Sequence, residues 1–420
     1  MHVDADRLRA DIEGNAEHGA IEGVEGRGRT VLTGTDANRA VRERLVERME
    51  DAGLTVSVDA VGNIAGTWVP ESADPDAAPV AAGSHLDSVP EGGIFDGPLG
   101  VYAALEAVRA MQDAGLEPER PVTVVSFTEE EGQLFADGLL GSSVAVGERT
   151  VDEALALEYE GRTLGEALEA DGFAGEGLLD ASEWDAWFEL HIEQDTRLER
   201  EGVPVGVVTT ITGITHCDVE VVGEANHAGA TPMDERTDAL TAASEFVLDV
   251  EAAANDVVES SSETAVGTVG SFTVSPNATN VVPGRVEMGL DVRDVEYESM
   301  QTIVEAAKAS LSLVERTRDV QTGFERPFDL QPTPMSESLR EAAHRAGDRA
   351  GIETMDLHSG AAHDTMHVAK VTDAVLLFAP SKDGISHNPR EWTDWEDCAA
   401  ATRVLAGAIA DAAGADVDEA

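Results

Sequence analysis

An α/β fold with a mostly parallel sheet, interrupted by a smaller inserted α+β domain, is what this sequence predicts. Three observations carry the prediction. Short apolar runs alternate with helical periodicity in the first half of the chain and again after about Phe328, the pattern of an open parallel sheet. Between them, from about Val205, long strand-like runs come in pairs with one helix each. At 420 residues the chain also exceeds what one hydrophobic core organises. The boundaries that follow are 1–208 and 327–420 for the larger domain and 209–326 for the insert.

Each element has its own signal. Asp36 to Ala52 repeats apolar positions at helical spacing, and Thr55 to Trp68 alternates like a strand through Val56, Val58, Val61 and Ile64. Ser72 to Ala78 is a polar, Pro-containing loop. Val80 to Ser84 is a short apolar strand that ends in a His/Asp/Gly-rich loop. A helix from Pro98 to Ala114 follows, with Pro98 suited to its first turn. Val122 to Phe127 is a β-branched run that stops at Thr128-Glu129-Glu130-Glu131-Gly132. In the insert, Val207 to Val222 and Ala265 to Val292 read as strands, and Asp238 to Ala254 and Glu298 to Val314 as helices. Trp395 to Ala413 is the last helix. Open parallel sheets gather function just beyond the carboxyl ends of their strands, where both polar clusters stand.

Composition excludes some partners. Eighty-two acidic residues oppose 28 basic ones, a net charge of −54, and only Lys308, Lys370 and Lys382 are lysines. Such a field repels nucleic-acid phosphates and anionic lipid, so neither nucleic acid nor a membrane is expected as a partner. Self-repulsion on this scale points to a salt-loving setting, because at about 1 M salt the screening length shrinks to roughly 3 Å. The melting temperature is therefore expected to rise between about 0.1 M and 2 M KCl; a flat or falling trend would contradict the halophilic reading. Cys217 and Cys398 lie far apart with no CxxC pattern, so no disulfide framework or thiolate zinc site follows. Met1 to Gly14 lacks an apolar signal region and no stretch is long enough to span a membrane. A soluble, cytoplasmic protein is the expectation.

The chemistry-bearing residues sit in a few short segments. His85 and Asp87 occur in Gly83-Ser84-His85-Leu86-Asp87, Asp96 in Phe95-Asp96-Gly97, and Glu130-Glu131 at the end of the β-branched run. His191 and His387 lie in what read as polar turns, Leu190 to Gln194 and Gly384 to Asn388. Imidazole nitrogens mixed with carboxylate oxygens suit borderline divalent ions. Taken singly, each has an ordinary alternative: a histidine satisfied within the fold, or an acidic pair in an acidic chain.

In order and context these segments resemble the M20 metallopeptidase clan. Within it they are similar to the hydantoinase/carbamoylase branch, which holds N-carbamoyl-L-amino-acid hydrolases, β-ureidopropionases and allantoate amidohydrolases. The matching stretches are Gly83 to Pro90, Gly93 to Gly100, Phe127 to Gly132, Leu190 to Gln194, Ala225 to Met233, Asn277 to Gly284 and Gly384 to Pro389.

The resemblance implies a metal-dependent hydrolase domain carrying an inserted lid and dimerisation domain, working as a homodimer. It further implies two divalent ions (Zn, Mn, Ni or Co) and a small anionic carbamoyl or ureido amino-acid substrate. Asp96 would bridge the ions, His85 and His191 would complete one site, and Glu131 and His387 the other. Asp87 would orient His85, and Glu130 would be the general base, with Glu129 its competitor. His227 would stabilise the oxyanion from the neighbouring subunit. Gln194, Asn280 and Arg293 would contact substrate, and Gly360 and Ala361 would line its pocket, with His363 a further pocket or supporting residue.

Two departures bear on substrate choice: Asp195-Thr196 stands where the family continues Gly-Pro, and Ala362 where Gly is common. The competing readings are an aminoacylase or peptidase of the same clan, and a binding protein that kept the fold without catalysis. Loss of Glu130 or of a ligand would mark the latter, and all are present.

Overall fold

A computed structural model describes residues 1–417. The chain forms two compact units, Met1–Thr209 together with the chain from Pro334 onward, and Thr210–Thr333.

The large unit is built on a nine-stranded sheet. Its middle four strands, Val122–Phe127, Val80–His85, Ala186–Ile192 and Ala374–Ala379, lie side by side and run parallel. Every residue of these four strands is buried. That is why Val80 to Ser84 and Val122 to Phe127 read as short, largely apolar runs rather than as a polar/apolar alternation, as parallel strands covered on both faces do. Phe127, Trp184, Trp187 and Val368 belong to one apolar cluster packed against them. Antiparallel strands flank the parallel core on both sides.

The helix Pro98–Ala114 begins with Pro at its first turn and is buried through Met111. Gly100 lets it approach the sheet: a Cβ there would stand 2.3 Å from the Leu190 carbonyl oxygen. Packing this tight is available only to glycine.

The strand-like stretch Thr55 to Trp68 is two antiparallel strands, Thr55–Val58 and Ile64–Trp68. The Asp59 carboxylate breaks it by accepting the backbone N–H groups of Val61 and Asn63, an Asx-type turn. Val207 to Val222 likewise divides. Val205–Ile211 pairs with Ala374–Ala379 in the large sheet, whereas Gly213–Val222 belongs to the small one.

The small unit is a four-stranded antiparallel sheet in the order Val266–Ser275, Arg285–Asp294, Gly213–Val222, Gln321–Leu330. Burial alternates along Arg285–Asp294, and the inward residues Val286, Met288, Leu290 and Val292 form one core with Phe246, Val250, Ile303 and Leu311. Those last four come from the two long helices, Ala239–Ser260 and Tyr297–Arg318. Phe328, Asp329 and Leu330 pair with His216, Thr215 and Ile214. A boundary at 326/327 therefore cuts through a strand, and the chain leaves the small unit only at Thr333. Both cysteines are buried and unbridged. Among the described residues no helix is long and apolar enough to cross a membrane.

Candidate metal centre

The parallel strands deliver the candidate ligands at their carboxyl ends. His85 is the last residue of Val80–His85, and Glu130 and Glu131 follow Val122–Phe127. His191 is not in a polar turn: it is the penultimate residue of the buried strand Ala186–Ile192. A polar residue at the end of an otherwise apolar strand ends the hydrophobic run, so in sequence it reads as a turn. His387 follows Ala374–Ala379 after a short loop, with its backbone at φ 53°. Asp96 sits just before the helix Pro98–Ala114. Gly97 (φ 80°) makes that possible, because a Cβ there would lie 2.5 Å from Cε1 of the His85 ring.

These groups converge on the Asp96 carboxylate. Oδ1 lies 3.1 Å from His191 Nε2 and 3.5 Å from His85 Nε2, and Oδ2 lies 3.4 Å from His387 Nε2. His387 Nε2 is also 3.4 Å from Glu131 Oε2. Donor atoms of His85, Asp96 and His191 lie within 4.8 Å of one another, as do those of Asp96, Glu131 and His387.

Both buried imidazoles have their Nδ1 atoms 3.2 Å from backbone carbonyls, Asp87 O for His85 and Ile192 O for His191. With the proton on Nδ1, the Nε2 lone pairs face Asp96. These two Nε2 atoms and Glu131 Oε1 are buried with no hydrogen-bond partner. Buried polar atoms are rarely left so; an ion between His85 and His191 would satisfy the two imidazoles, and one beside Glu131 and His387 would satisfy the carboxylate.

The two positions differ in access. His85 and His191 side chains are 0% and 2% exposed, whereas His387 is 53% exposed. One group of donors is thus walled in, whereas the other is open to solvent at His387.

Charge couples the cluster. Burial alone would push Asp96 up, but the imidazoles of His191, His387 and His85 outweigh it and hold the acid well below the usual carboxylate range. Burial pushes Glu131 up to about 7, with Asp96 adding to the effect. The hydrogen bond to Asp96 lifts His387 to about 9, against its partial burial.

Ligands must shed these protons before they coordinate. Below about pH 7 both Glu131 and His387 are protonated in the metal-free protein, and above about pH 9 neither is. Divalent-ion affinity is therefore expected to rise with pH across that window, with proton release on binding. Mn²⁺ titrations at several pH values check this, and a flat profile would remove Glu131 and His387 from the ligand set.

Asp87 works mainly through the backbone. Its carboxylate accepts the N–H groups of Glu130 (3.3 Å) and Glu131 (3.0 Å). His85 Nδ1 is 3.6 Å from that carboxylate, farther than from the Asp87 carbonyl. Glu129 is committed elsewhere: its Oε1 accepts the N–H groups of Leu134 and Phe135 at 2.8 and 2.9 Å. Glu130 has Oε2 3.6 Å from His85 Nε2. Burial, with Asp364, Glu131 and Asp87 adding to it, holds its carboxyl well above the ordinary value despite the pull of His85.

Gln194 donates to Asp96 Oδ2 at 3.0 Å and to Ser386 Oγ at 3.1 Å. It lies beside the candidate ligands, and its amide is engaged with the Asp96 carboxylate. Gly360 and Ala361 form a turn in which Ser359 Oγ bonds the Ala361 carbonyl and amide. Ser359 Oγ also lies 3.1 Å from His363 Nε2. The His363 ring packs edge-on to His191 at 4.6 Å. Burial, helped by His191, holds it well below the usual imidazole range, so it is a neutral wall of the site.

In the small unit His227 starts a tight turn. Its Nδ1 accepts the N–H groups of Gly229 and Ala230 at 3.0 and 3.1 Å. The remaining proton is therefore on Nε2, which makes this an exposed donor. Asn280 is adjacent, its carbonyl accepting the Ala228 N–H at 2.9 Å. Arg293 is elsewhere: it stands near the far end of Arg285–Asp294, with its guanidinium bonded to Asp291. Eight residues of extended strand separate it from Arg285, roughly 27 Å.

Sequence reading missed Ser386, whose hydroxyl donates to Asp96 Oδ2 at 2.9 Å, and Glu391, which accepts the Phe95 and Asp96 N–H groups. In so acidic a chain, one more glutamate beyond a motif carries no signal.

An α/β unit with an inserted α+β unit and a His/carboxylate cluster at the ends of its parallel strands is the class these observations define. The chain belongs to peptidase family M20/M25/M40, whose sequence model matches residues 81–411. It is 39% identical to the N-carbamoyl-L-amino acid amidohydrolase of Geobacillus stearothermophilus over 382 residues, 90% of this chain and 92% of that one. It is 33% identical to the ureidoglycolate hydrolase of Arabidopsis thaliana, covering 90% of this chain and 80% of that one. The crystal structure of a hydantoinase/carbamoylase family amidase from Burkholderia multivorans superposes with a TM-score of 0.92 at 36% identity, over 98% of each chain.

Proposed function

We propose that this protein is a dinuclear metal-dependent amidohydrolase that cleaves the carbamoyl or ureido C–N bond of an N-carbamoyl-L-amino acid or related ureido acid. The observation that carries the reading is the set of buried, unpartnered atoms around Asp96 (Nε2 of His85 and His191, Oε1 of Glu131). The likeness to carbamoyl amino-acid amidohydrolases supplies the substrate class.

His85, Asp96 and His191 would hold one ion, and Asp96, Glu131 and His387 the other; Zn, Mn, Ni and Co all accept such donors. Bound there, the ions supply Lewis acidity. The chain's own groups do the rest. Glu130 takes a proton from the attacking water and delivers it to the leaving nitrogen. The new C–O bond replaces the C–N bond, releasing the free amino acid and carbamic acid, which decomposes to ammonia and carbon dioxide. His227 donates its Nε2 proton to the developing oxyanion. Arg293 exchanges Asp291 for the substrate carboxylate, a two-oxygen partner that suits its fork.

The small unit supports a shared site. His227 and Asn280 lie in the segments that adjoin the Arg285 end of its sheet, opposite the end that holds Arg293. The strand between those ends runs roughly 27 Å, a length no small substrate spans. A homodimer resolves this if one chain supplies Arg293 and the other His227 and Asn280. The net charge of −54 supports a salt-rich cytoplasm as the setting.

The test is a panel of carbamoyl amino acids, β-ureidopropionate, allantoate, ureidoglycolate, N-acyl amino acids and dipeptides, assayed with metal-loaded protein in molar salt. Ammonia release from carbamoyl or ureido substrates is the expected result. Highest kcat/KM on dipeptides or acyl amino acids would overturn the reading.

A further inference from the structure

One buried guanidinium ties down the connection that carries Asp87 and Asp96. Arg29 is completely buried. Its Nε donates to the Gly93 carbonyl and Nη1 to the Leu86 carbonyl, both at 3.0 Å, and Nη2 lies 3.3 Å from the carbonyls of both Asp87 and Asp96. All four acceptors belong to the one connection, 86–97, that follows His85 and carries Asp87 and Asp96. Taking a guanidinium out of water is costly unless its donors are met, and here they are met by this connection.

The backbone around Arg29 follows the same course. Arg29 N–H donates to Gly92 O at 3.0 Å, and Val31 O accepts the Ser88 N–H at 2.9 Å. Arg27 N–H donates to Pro389 O at 2.7 Å, two residues past His387. The strap from Arg27 to Val31 thus touches two ligand-bearing loops, at Ser88 and Gly92 in the one and Pro389 in the other, and it lies outside the stretch matched by the family model, 81–411.

Glu391 grips the Asp96 loop from its amide side. Its Oε1 accepts the N–H groups of Phe95 (2.9 Å) and Asp96 (3.1 Å), and Oε2 lies 3.2 Å from Ser386 Oγ. Gly93 makes room for it, since a Cβ there would lie 2.1 Å from Glu391 Oε1. At Asp96, therefore, Glu391 holds the amide and Arg29 the carbonyl, while the side chain stays turned toward the three imidazoles.

We propose that Arg29 and Glu391 are positioning residues of the metal centre, fixing the Asp96 backbone so that its carboxylate can serve two ions at once. The inference rests on the reading of Asp96 as the bridge. It explains why an arginine with no reach to substrate is buried here, and why the strap runs past Ser88, Gly92 and Pro389 in turn.

The test uses the full-length protein stripped of metal and titrated with Mn²⁺ by electron paramagnetic resonance, with folding checked by circular dichroism. Arg29→Lys keeps the charge, but one ammonium cannot serve four diverging carbonyls. Glu391→Gln keeps the shape and one acceptor oxygen. Both are expected to weaken Mn²⁺ binding, Arg29→Lys by about 10–100-fold, the range for lost outer contacts. The kcat should fall with KM nearly unchanged. A folded Arg29→Lys protein that binds Mn²⁺ like wild type, with only its melting temperature lowered, overturns the proposal. If Arg29→Lys does not fold, Glu391→Ala, which removes the acceptor that Gln keeps, decides alone, and wild-type affinity in it is equally fatal. A wild-type protein that binds no divalent ion defeats the metal reading itself, a result seen before any variant is made.

Discussion

Glu130→Gln is expected to take up metal as wild type does and to lose about 10²–10⁴-fold in kcat, the usual contribution of a general acid–base group. The prediction follows from what each carboxylate of Glu129-Glu130-Glu131 touches. Glu129 is engaged by two loop amides, and Glu131 faces His387 and Asp96. Glu130 is left beside His85, with its backbone N–H on Asp87. Gln is close in shape and keeps the backbone contact, so the clamp from Asp87 to the Glu130-Glu131 turn survives. What disappears is the ability to take a proton from water and return it to nitrogen. Single-turnover assays with metal-replete variant protein check it. Near-normal kcat would move the base elsewhere.

The second large effect concerns two chains at once. Alone, His227→Ala is expected to be nearly inactive, because loss of one oxyanion donor costs about 10²–10³-fold, and Glu130→Gln is inactive for the reason above. Mixed and allowed to exchange subunits, they should recover activity. In a mixed dimer one site combines wild-type Glu130 of one chain with wild-type His227 of the other, so at most about half of its sites can work. The geometry behind this is the length of the strand between Arg293 and Arg285, the end that the His227 and Asn280 segments adjoin. Proven heterodimers without recovered activity would mean that His227 serves its own chain, or that the insert is only structural.

What could be read from the sequence was whatever local physics determines. Val80 to Ser84 and Val122 to Phe127 are mostly small, apolar and β-branched because both faces of their strands are covered, so they were legible within a residue. The carboxyl-end clusters were legible for the same reason, since polar residues interrupt those runs abruptly. His191 was misplaced into a turn because the strand that carries it, Ala186–Ile192, contains Glu189 and His191 in its interior. Those residues are tolerated only through tertiary partners, such as the hydrogen bonds of Glu189 with Ser84 and Thr365. The break at Asp59 and the end of the small unit near Thr333 depend on a side-chain turn and on strand pairing over a hundred residues away. Arg29 and Glu391 were invisible for the same reason: their meaning lies wholly in contacts with the Asp96 loop.

Two ions that share Asp96 are the core of the proposed centre, and metal analysis of the wild type beside Asp96→Asn tests that most directly. Elemental analysis after equilibration with excess Mn²⁺ or Zn²⁺ and removal of free ion should give two ions per wild-type chain. Asp96→Asn keeps the fold and the backbone grip of Glu391 but replaces a charged oxygen with an amide, and it should retain fewer than one ion and lose turnover. A wild type saturating at a single ion, or an Asp96→Asn protein that keeps both ions and its activity, would contradict the shared-carboxylate centre.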